Sequence, residues 1–375
     1  MPGLNPEVDP DGLLEYSVVF TDRSLNHMSK AFQEVMRDIS ASLKQVYKAH
    51  SVALVPGGGT YAMEAVARQF AADASVLIVR NGLFSFRWTA IFDTSGVAKD
   101  QTILQARRTK DETKAPWTPA PLEEIVDSIH KTRPAVVFAP HVETSSGIIL
   151  PDEYIKAIGQ ASREVDALFV LDCVASGAVW VDMQDTDVDV LITAPQKGWS
   201  STPSAGMVML NQRARARADA AKSSSYACDL GAWLRIMDAY ENGGHAYHAT
   251  MPTDSLRTLR DTIREVEAFG LEKATQKQWE LGSKVRALLA DRGLPSVAAE
   301  GFEAPGVVVS YTDDEGIRTG KKFAQQGLQV AAGVPLKCDE PTDFSTFRVG
   351  LFGLEKLQNV DRTVEYLKKA LDSIQ

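Results

Sequence analysis

Cysteine is scarce in this chain of 375 residues: Cys173, Cys228 and Cys338 stand far apart and form no C-x-x-C pair. A disulfide framework and a thiolate-held metal site both lack their ligands, and a reducing compartment is expected. Histidine is scarce too, with six residues and no H-E-x-x-H pattern; His245 and His248 sit three apart, but that spacing is not a metal motif, so no metal is expected. No run approaches the roughly 18 apolar residues of a membrane span. The opening MPGLNPEVDPDGLLEYSVVF carries acids and prolines where a signal peptide has a basic start and an apolar run, so a cytoplasmic protein without membrane contact is expected. Positive charge is in deficit, 40 Lys and Arg against 49 Asp and Glu, net −9. No average basic surface is left to neutralise a nucleic-acid backbone, which excludes nucleic acid as the main partner.

What is present is the material of a large soluble core, 44% hydrophobic and 8% aromatic residues in a length beyond one compact core. Short apolar runs at Ser51–Pro56, Ser75–Val79, Ala135–Pro140, Ala167–Asp172 and Val188–Ala194 alternate with helical periods at Thr60–Ala72, Pro121–Lys131 and Asp152–Glu164. That alternation predicts an α/β fold with a mostly parallel sheet buried between helices, and Ala205–Leu210 reads as an antiparallel addition. The aperiodic segment Tyr240–Pro252 marks a change. Beyond it lie a long helical stretch, Asp254–Arg292, strand-like runs at Gly306–Tyr311, Leu328–Ala332 and Thr346–Gly350, and a final helix with Leu354, Leu357, Val360, Val364, Leu367 and Leu371 on one face. The expected division is a large α/β domain over 1–255, with an N-terminal arm over about 1–23, and a small α+β domain over 256–375.

Three features close predicted strands, where open α/β sheets place ligands. Pro56-Gly57-Gly58-Gly59-Thr60 is either a phosphate cradle at a helix start or a flexible turn; it has neither the P-loop lysine nor dinucleotide spacing. Asp172 ends a buried strand, where a carboxylate needs a cation or several donors; a structural Asp bound to loop amides is the alternative. Lys197 follows the next strand, and partial burial there would favour the neutral amine that Schiff-base chemistry uses. A cradle, a buried acid and a desolvated lysine suit pyridoxal 5'-phosphate, with its phosphate, pyridine nitrogen and aldehyde.

Four ordered blocks then carry a family likeness: His141-Val142-Glu143-Thr144-Ser145-Ser146-Gly147, Leu171-Asp172-Cys173-Val174-Ala175-Ser176, Ala194-Pro195-Gln196-Lys197 and Phe347-Arg348-Val349-Gly350-Leu351. From about Ser29 to the C-terminus the chain resembles class V aminotransferases of fold type I, in the branch of the alanine–glyoxylate and serine–glyoxylate enzymes. The resemblance implies that Lys197 binds the cofactor aldehyde and shuttles the substrate α-proton, while Asp172 keeps the pyridine nitrogen protonated. Phe84 would stack on the cofactor, Thr144 would meet the ring hydroxyl, and Val174 would pack on the other face. Gly58, Gly59, Thr60 and Gln196 would hold the phosphate. Tyr247 and Thr250 would reach the phosphate of a neighbouring subunit, making a homodimer with shared active sites, and Arg348 would bind the substrate carboxylate. The implied activity is ping-pong transfer of an amino group from a small, serine- or alanine-like amino acid to glyoxylate or pyruvate.

The chain departs from that family at its N-terminus, where Tyr16, Arg23, Asn26 and His27 replace a glycine–proline-rich pocket segment, either as pocket lining or as an arm packed on the partner. The same framework would serve a 2-aminoethylphosphonate–pyruvate transaminase. A lyase or cysteine desulfurase would need a nucleophile, for which Cys338 is the candidate, and Gln196 stands where desulfurases carry histidine. A transcriptional sensor would need an added DNA-binding unit, and about 20 N-terminal residues are too few for one.

Overall fold

Ser29 caps α1 (Lys30–Tyr47), its hydroxyl accepting from the Phe32 amide. The structure is a computed structural model describing residues 6–374; the first five residues of the expected arm, and Gln375, lie outside the described residues. After α1 come β1 (Ser51–Pro56), α2 (Gly59–Phe70), β2 (Ser75–Arg80), α3 (Leu83–Ser95) and β3 (Asp100–Gln105). Next are α4 (Leu122–Thr132), β4 (Val136–Pro140), α5 (Asp152–Glu164), β5 (Leu168–Asp172), β6 (Val190–Thr193), β7 (Ala205–Leu210) and α6 (Leu230–Glu241).

These strands form one seven-stranded sheet in the order β1-β7-β6-β5-β4-β2-β3. Strands β2 to β6 pair parallel, and β7 runs antiparallel to both of its neighbours, β1 and β6. Every residue of β4, β5 and β6 is buried, which is why each reads as a continuous apolar run rather than an alternation. In register, Asp172 lies beside Ile192 of β6 on one side and Pro140 of β4 on the other. The carboxylate is therefore held at the carboxyl edge of the sheet's centre, with Lys197 in the turn that leaves β6.

The C-terminal part contains α7 (Thr253–Phe269), α8 (Leu271–Ala290), β8 (Val307–Tyr311), β9 (Ala331–Ala332), β10 (Thr346–Gly350), α9 (Leu354–Gln358) and α10 (Val360–Ile374). Its antiparallel sheet has the order β8-β10-β9. The single helix expected over Asp254–Arg292 is two, broken at Gly270, whose φ of 101° lies where glycine is favoured. The expected final helix is likewise two, parted at Asn359. The strand expected at Leu328–Ala332 shrinks to its last two residues. Leu256, Leu259, Ile263 and Val266 of α7 pack in the core of the large sheet, whereas Leu281, Val285 and Leu289 of α8 join the smaller one. The two apolar clusters, and with them the large and small units, thus change over at Gly270 between α7 and α8. Among the described residues no helix is long and apolar enough to cross a membrane.

Helix α3 carries Phe84, and its start is pinned by a lack of space at Gly82. A Cβ built there would lie 2.0 Å from Ser145 Oγ and 2.7 Å from Glu143 Cγ. Gly82→Ala is expected to cost roughly 1–3 kcal/mol of stability through this overpacking, read as a lower urea midpoint.

Candidate active site

The glycine turn comes first in the chain. Gly57 sits at φ 124°, and a Cβ there would strike the Tyr61 ring at 2.5 Å. Helix α2 then starts at Gly59, and among the described residues the amides of Gly58, Gly59 and Thr60 have no acceptor. A Cβ on Gly58 would meet nothing within 4 Å, while one on Gly59 would meet Val174 Cγ2 at 2.7 Å. Free amides at a helix start are donors suited to an anion.

Asp172 is 8% exposed, and its Oδ1 accepts from the Val174 amide at 2.9 Å. Its second oxygen has no donor among the described residues, and burial pushes the carboxyl up to about 6, with Glu143 adding to the rise against Arg87 and Lys197. Burial lowers the Lys197 amine below the ordinary lysine value; Asp172 opposes this, and Arg348 and Arg87 reinforce it. Lys197 Nζ also lies 4.8 Å from the centre of the Phe352 ring. Free amides, a free acceptor oxygen and a desolvated amine thus face one edge of the sheet. This donor set fits pyridoxal phosphate pole by pole, with the amides for its phosphate, Asp172 for its ring nitrogen and Lys197 for its aldehyde.

Phe84, half-buried at the start of α3, has the guanidinium carbons of Arg87 and Arg348 5.3 and 5.7 Å from its ring centre. Arg348 projects from β10, donates from Nε to the Ala332 carbonyl at 2.9 Å, and is lowered by burial while Glu143 resists that shift. Thr144 is half-buried in the turn beside Glu143, and Gln196 is exposed next to Lys197. Tyr247 and Thr250 bond to each other at 3.1 Å, and the Tyr247 ring approaches His27 at 5.5 Å. No hydrogen bond among the described residues joins either one to the Asp172–Lys197 pair.

Sequence reasoning missed two side chains here. Arg87, one turn beyond Phe84 on α3, donates from Nη1 to Thr60 Oγ1 at 3.0 Å. Glu143 is wholly buried and accepts from the amides of Phe84, Ser85 and Ser145 and from the hydroxyls of Ser85 and Ser145. A signal for Glu143 existed, an acid inside an apolar block, but three of its five hydrogen bonds come from α3, 58 or 59 residues away.

Other candidates resolve differently. Cys338 is buried with its thiol pushed up to about 12 and turned to the Arg80 carbonyl, a poor nucleophile. Tyr16 and Arg23 are exposed, whereas Asn26 is buried and donates to Glu15, and His27 packs among Phe20, His245 and Tyr247. His248 bonds the Tyr226 carbonyl, so His245 and His248 diverge, and among the described residues no group of three or more His, Cys, Asp or Glu could hold a metal ion.

Known proteins resemble this chain in sequence and in fold. The family model for class-V aminotransferases matches residues 13–361. Alanine–glyoxylate aminotransferase of Mus musculus is 24% identical over 360 residues, covering 93% of this chain and 82% of the relative. L-aspartate–glyoxylate aminotransferase of Paracoccus denitrificans is 27% identical over 312 residues, covering 77% and 74%. The solved alanine–glyoxylate aminotransferase from Nostoc sp. superposes with a TM-score of 0.78 at 23% identity, over 92% of this chain and 88% of that one. The fold is that of fold type I transferases, and the chain belongs to the class-V aminotransferase family.

Proposed function

We propose that the protein is a pyridoxal-phosphate-dependent aminotransferase that moves an amino group from a small amino acid to a small 2-oxo acid such as glyoxylate or pyruvate. The observation that carries this reading is the meeting of Asp172 and Lys197 at neighbouring strand ends, beside the free amides of α2. The relatives named above for alanine, aspartate and glyoxylate support the substrate class.

When bound, pyridoxal phosphate supplies an aldehyde carbon that takes up an amine and a ring that withdraws the electron pair left at the substrate α-carbon. The free oxygen of Asp172 would accept the ring N–H and keep that proton in place. Lys197 Nζ, biased toward the neutral amine, would take the α-proton and later return it. The planar fork of Arg348 would bind the α-carboxylate and orient the bond to be broken. Phe84, fixed on α3, would cover the ring and exclude water from that face. Tyr247 and Thr250, unengaged with their own chain's site, would complete the phosphate seat of a second subunit.

The test is a half-reaction. The protein loaded with pyridoxal phosphate should show a visible absorbance that falls on adding one or more of serine, alanine, aspartate and 2-aminoethylphosphonate. Lys197→Ala should lose that response and at least roughly 10²–10⁴-fold in turnover. A variant that keeps its turnover, or a wild type that answers none of the amines, overturns the reading. Arg348→Gln should raise the KM for the amino acid about 10- to 100-fold and change kcat less, as measured by steady-state kinetics.

Asp172 also links the site to folding. Its folded value, about 6, lies above the ordinary 3.8. The associated stability is fully present below about pH 4 and is lost as pH rises through 6, reaching a cost of roughly 3 kcal/mol. His141, lowered to about 4 by burial, slopes the opposite way in that window and cancels between variants. Cofactor-free Asp172→Asn should therefore gain on wild type in urea denaturation between pH 4 and 7.5. Pyridoxal phosphate should reverse the order at pH 7.5.

A further inference from the structure

Arg87 meets more of the site than any role so far given to it explains. It donates to Thr60 and lies over Phe84, and its charge is felt at both Asp172 and Lys197. A guanidinium carries five N–H donors in a rigid fork. Arg87 spends one of them on a neutral hydroxyl, and among the described residues it has no carboxylate partner. Three other half-buried arginines are paired in this way, Arg213 with Asp189, Arg215 with Asp238 and Arg260 with Asp38, whereas Arg348, on the same Phe84 ring, is not. A half-buried cation without a counter-ion is costly, so Arg87 is poised for an anion that the chain itself does not supply.

Two anions are available to the proposed reaction, the cofactor's phosphate and a substrate carboxylate. The hydrogen bonds separate them. Arg87 is tied through Thr60 Oγ1 to the start of α2, where the Gly58, Gly59 and Thr60 amides lack acceptors. Arg348 is tied through the Ala332 carbonyl to the small sheet. Each arginine is thus anchored to a different unit, and Arg87 stands on the phosphate side.

We propose that Arg87 is a direct ligand of the cofactor phosphate, so that the site selects the phosphorylated cofactor over free pyridoxal. The inference rests on the cofactor reading above. It gives the phosphate seat a bidentate cation beside the neutral amides, and charge-assisted bonds of this kind are roughly twice as strong as neutral ones.

The experiment compares wild type, Arg87→Gln and Arg87→Lys in the full chain, freed of cofactor and checked by circular dichroism. Dissociation constants are measured for pyridoxal phosphate and for pyridoxal by absorbance, and melting temperatures with and without inorganic phosphate. Arg87→Gln should bind pyridoxal phosphate about 10- to 100-fold more weakly, leave pyridoxal within about twofold, and lose the stabilisation by inorganic phosphate. Arg87→Lys, which keeps the charge but not the fork, should fall between; if the Gln variant does not fold, this smaller, phosphate-specific loss decides. Equal weakening of both forms, or no change in either, overturns the proposal. So does unchanged discrimination with a raised KM for a dicarboxylic amino acid such as aspartate. Should wild type bind neither cofactor form, the cofactor reading fails. The anion site then stands or falls on whether phosphate stabilises wild type and not Arg87→Gln.

Discussion

The Glu143 carboxylate, fully buried and holding five hydrogen bonds from two segments of chain, is the constraint around which the site is arranged. Removing such a group from water is expensive and is offset only when both oxygens are saturated with donors. That condition dictates its neighbours. Ser85 and Ser145 each supply an amide and a hydroxyl, and Ser145 Oγ in turn accepts from the Leu83 amide. The space they share leaves room for nothing larger than glycine at 82. Two amides of the first turn of α3 thereby find their acceptor in another segment, the role an N-cap side chain plays locally elsewhere. The start of α3, with Phe84, and the turn through Ser145 are fixed relative to each other because the Phe84, Ser85 and Ser145 amides meet at one carboxylate.

The same charge orders the electrostatics. Lys197, Arg87 and Arg348 bring three cationic groups to a region where Asp172 and Glu143 are the facing acids. Glu143 holds Arg348 toward its charged form and presses Asp172 toward its neutral one, while Arg87 and Lys197 press Asp172 the other way. A protein of net −9 thus concentrates positive charge where a phosphate and a carboxylate would sit. The overall balance describes its surface, and the site is its local exception.

How much of this was legible in the sequence follows from which forces are local. The strands β4, β5 and β6 were readable because burial on both faces demands unbroken apolar runs, and Asp172 and Lys197 because polar residues closing such runs need a reason. Strand β3 was not, since its sequence DQTILQ lies at the sheet edge with polar residues tolerated. Helices α3 and α6 escaped because LFSFRWTAIFDTS and LGAWLRIMDAYE are apolar around most of their circumference and show no stripe. Arg87 and Glu143 escaped for a different reason. Their meaning lies in contacts with residues 27 and 58 or more positions away, which periodicity and strand ends do not register.

The placement of Arg348 shows how the two units cooperate without a shared sheet. Strand β10 carries it, while the partner strand β8 turns Val307, Val309 and Tyr311 into an apolar cluster with Trp117, Val142, Ile148 and Ile149 of the large unit. Within that cluster Trp117 Nε1 donates to the Tyr311 hydroxyl at 3.0 Å, and the hydroxyl donates to the Ala115 carbonyl at 2.8 Å. Val142 and Ile148 flank the very turn that holds Glu143 and Thr144. Packing that seals the units together therefore also sets the distance between the Arg348 guanidinium and the Phe84 ring. Arg348, which we propose binds the substrate carboxylate, is thus aligned by contacts within the protein itself, and such preorganisation lowers the cost of orienting a ligand.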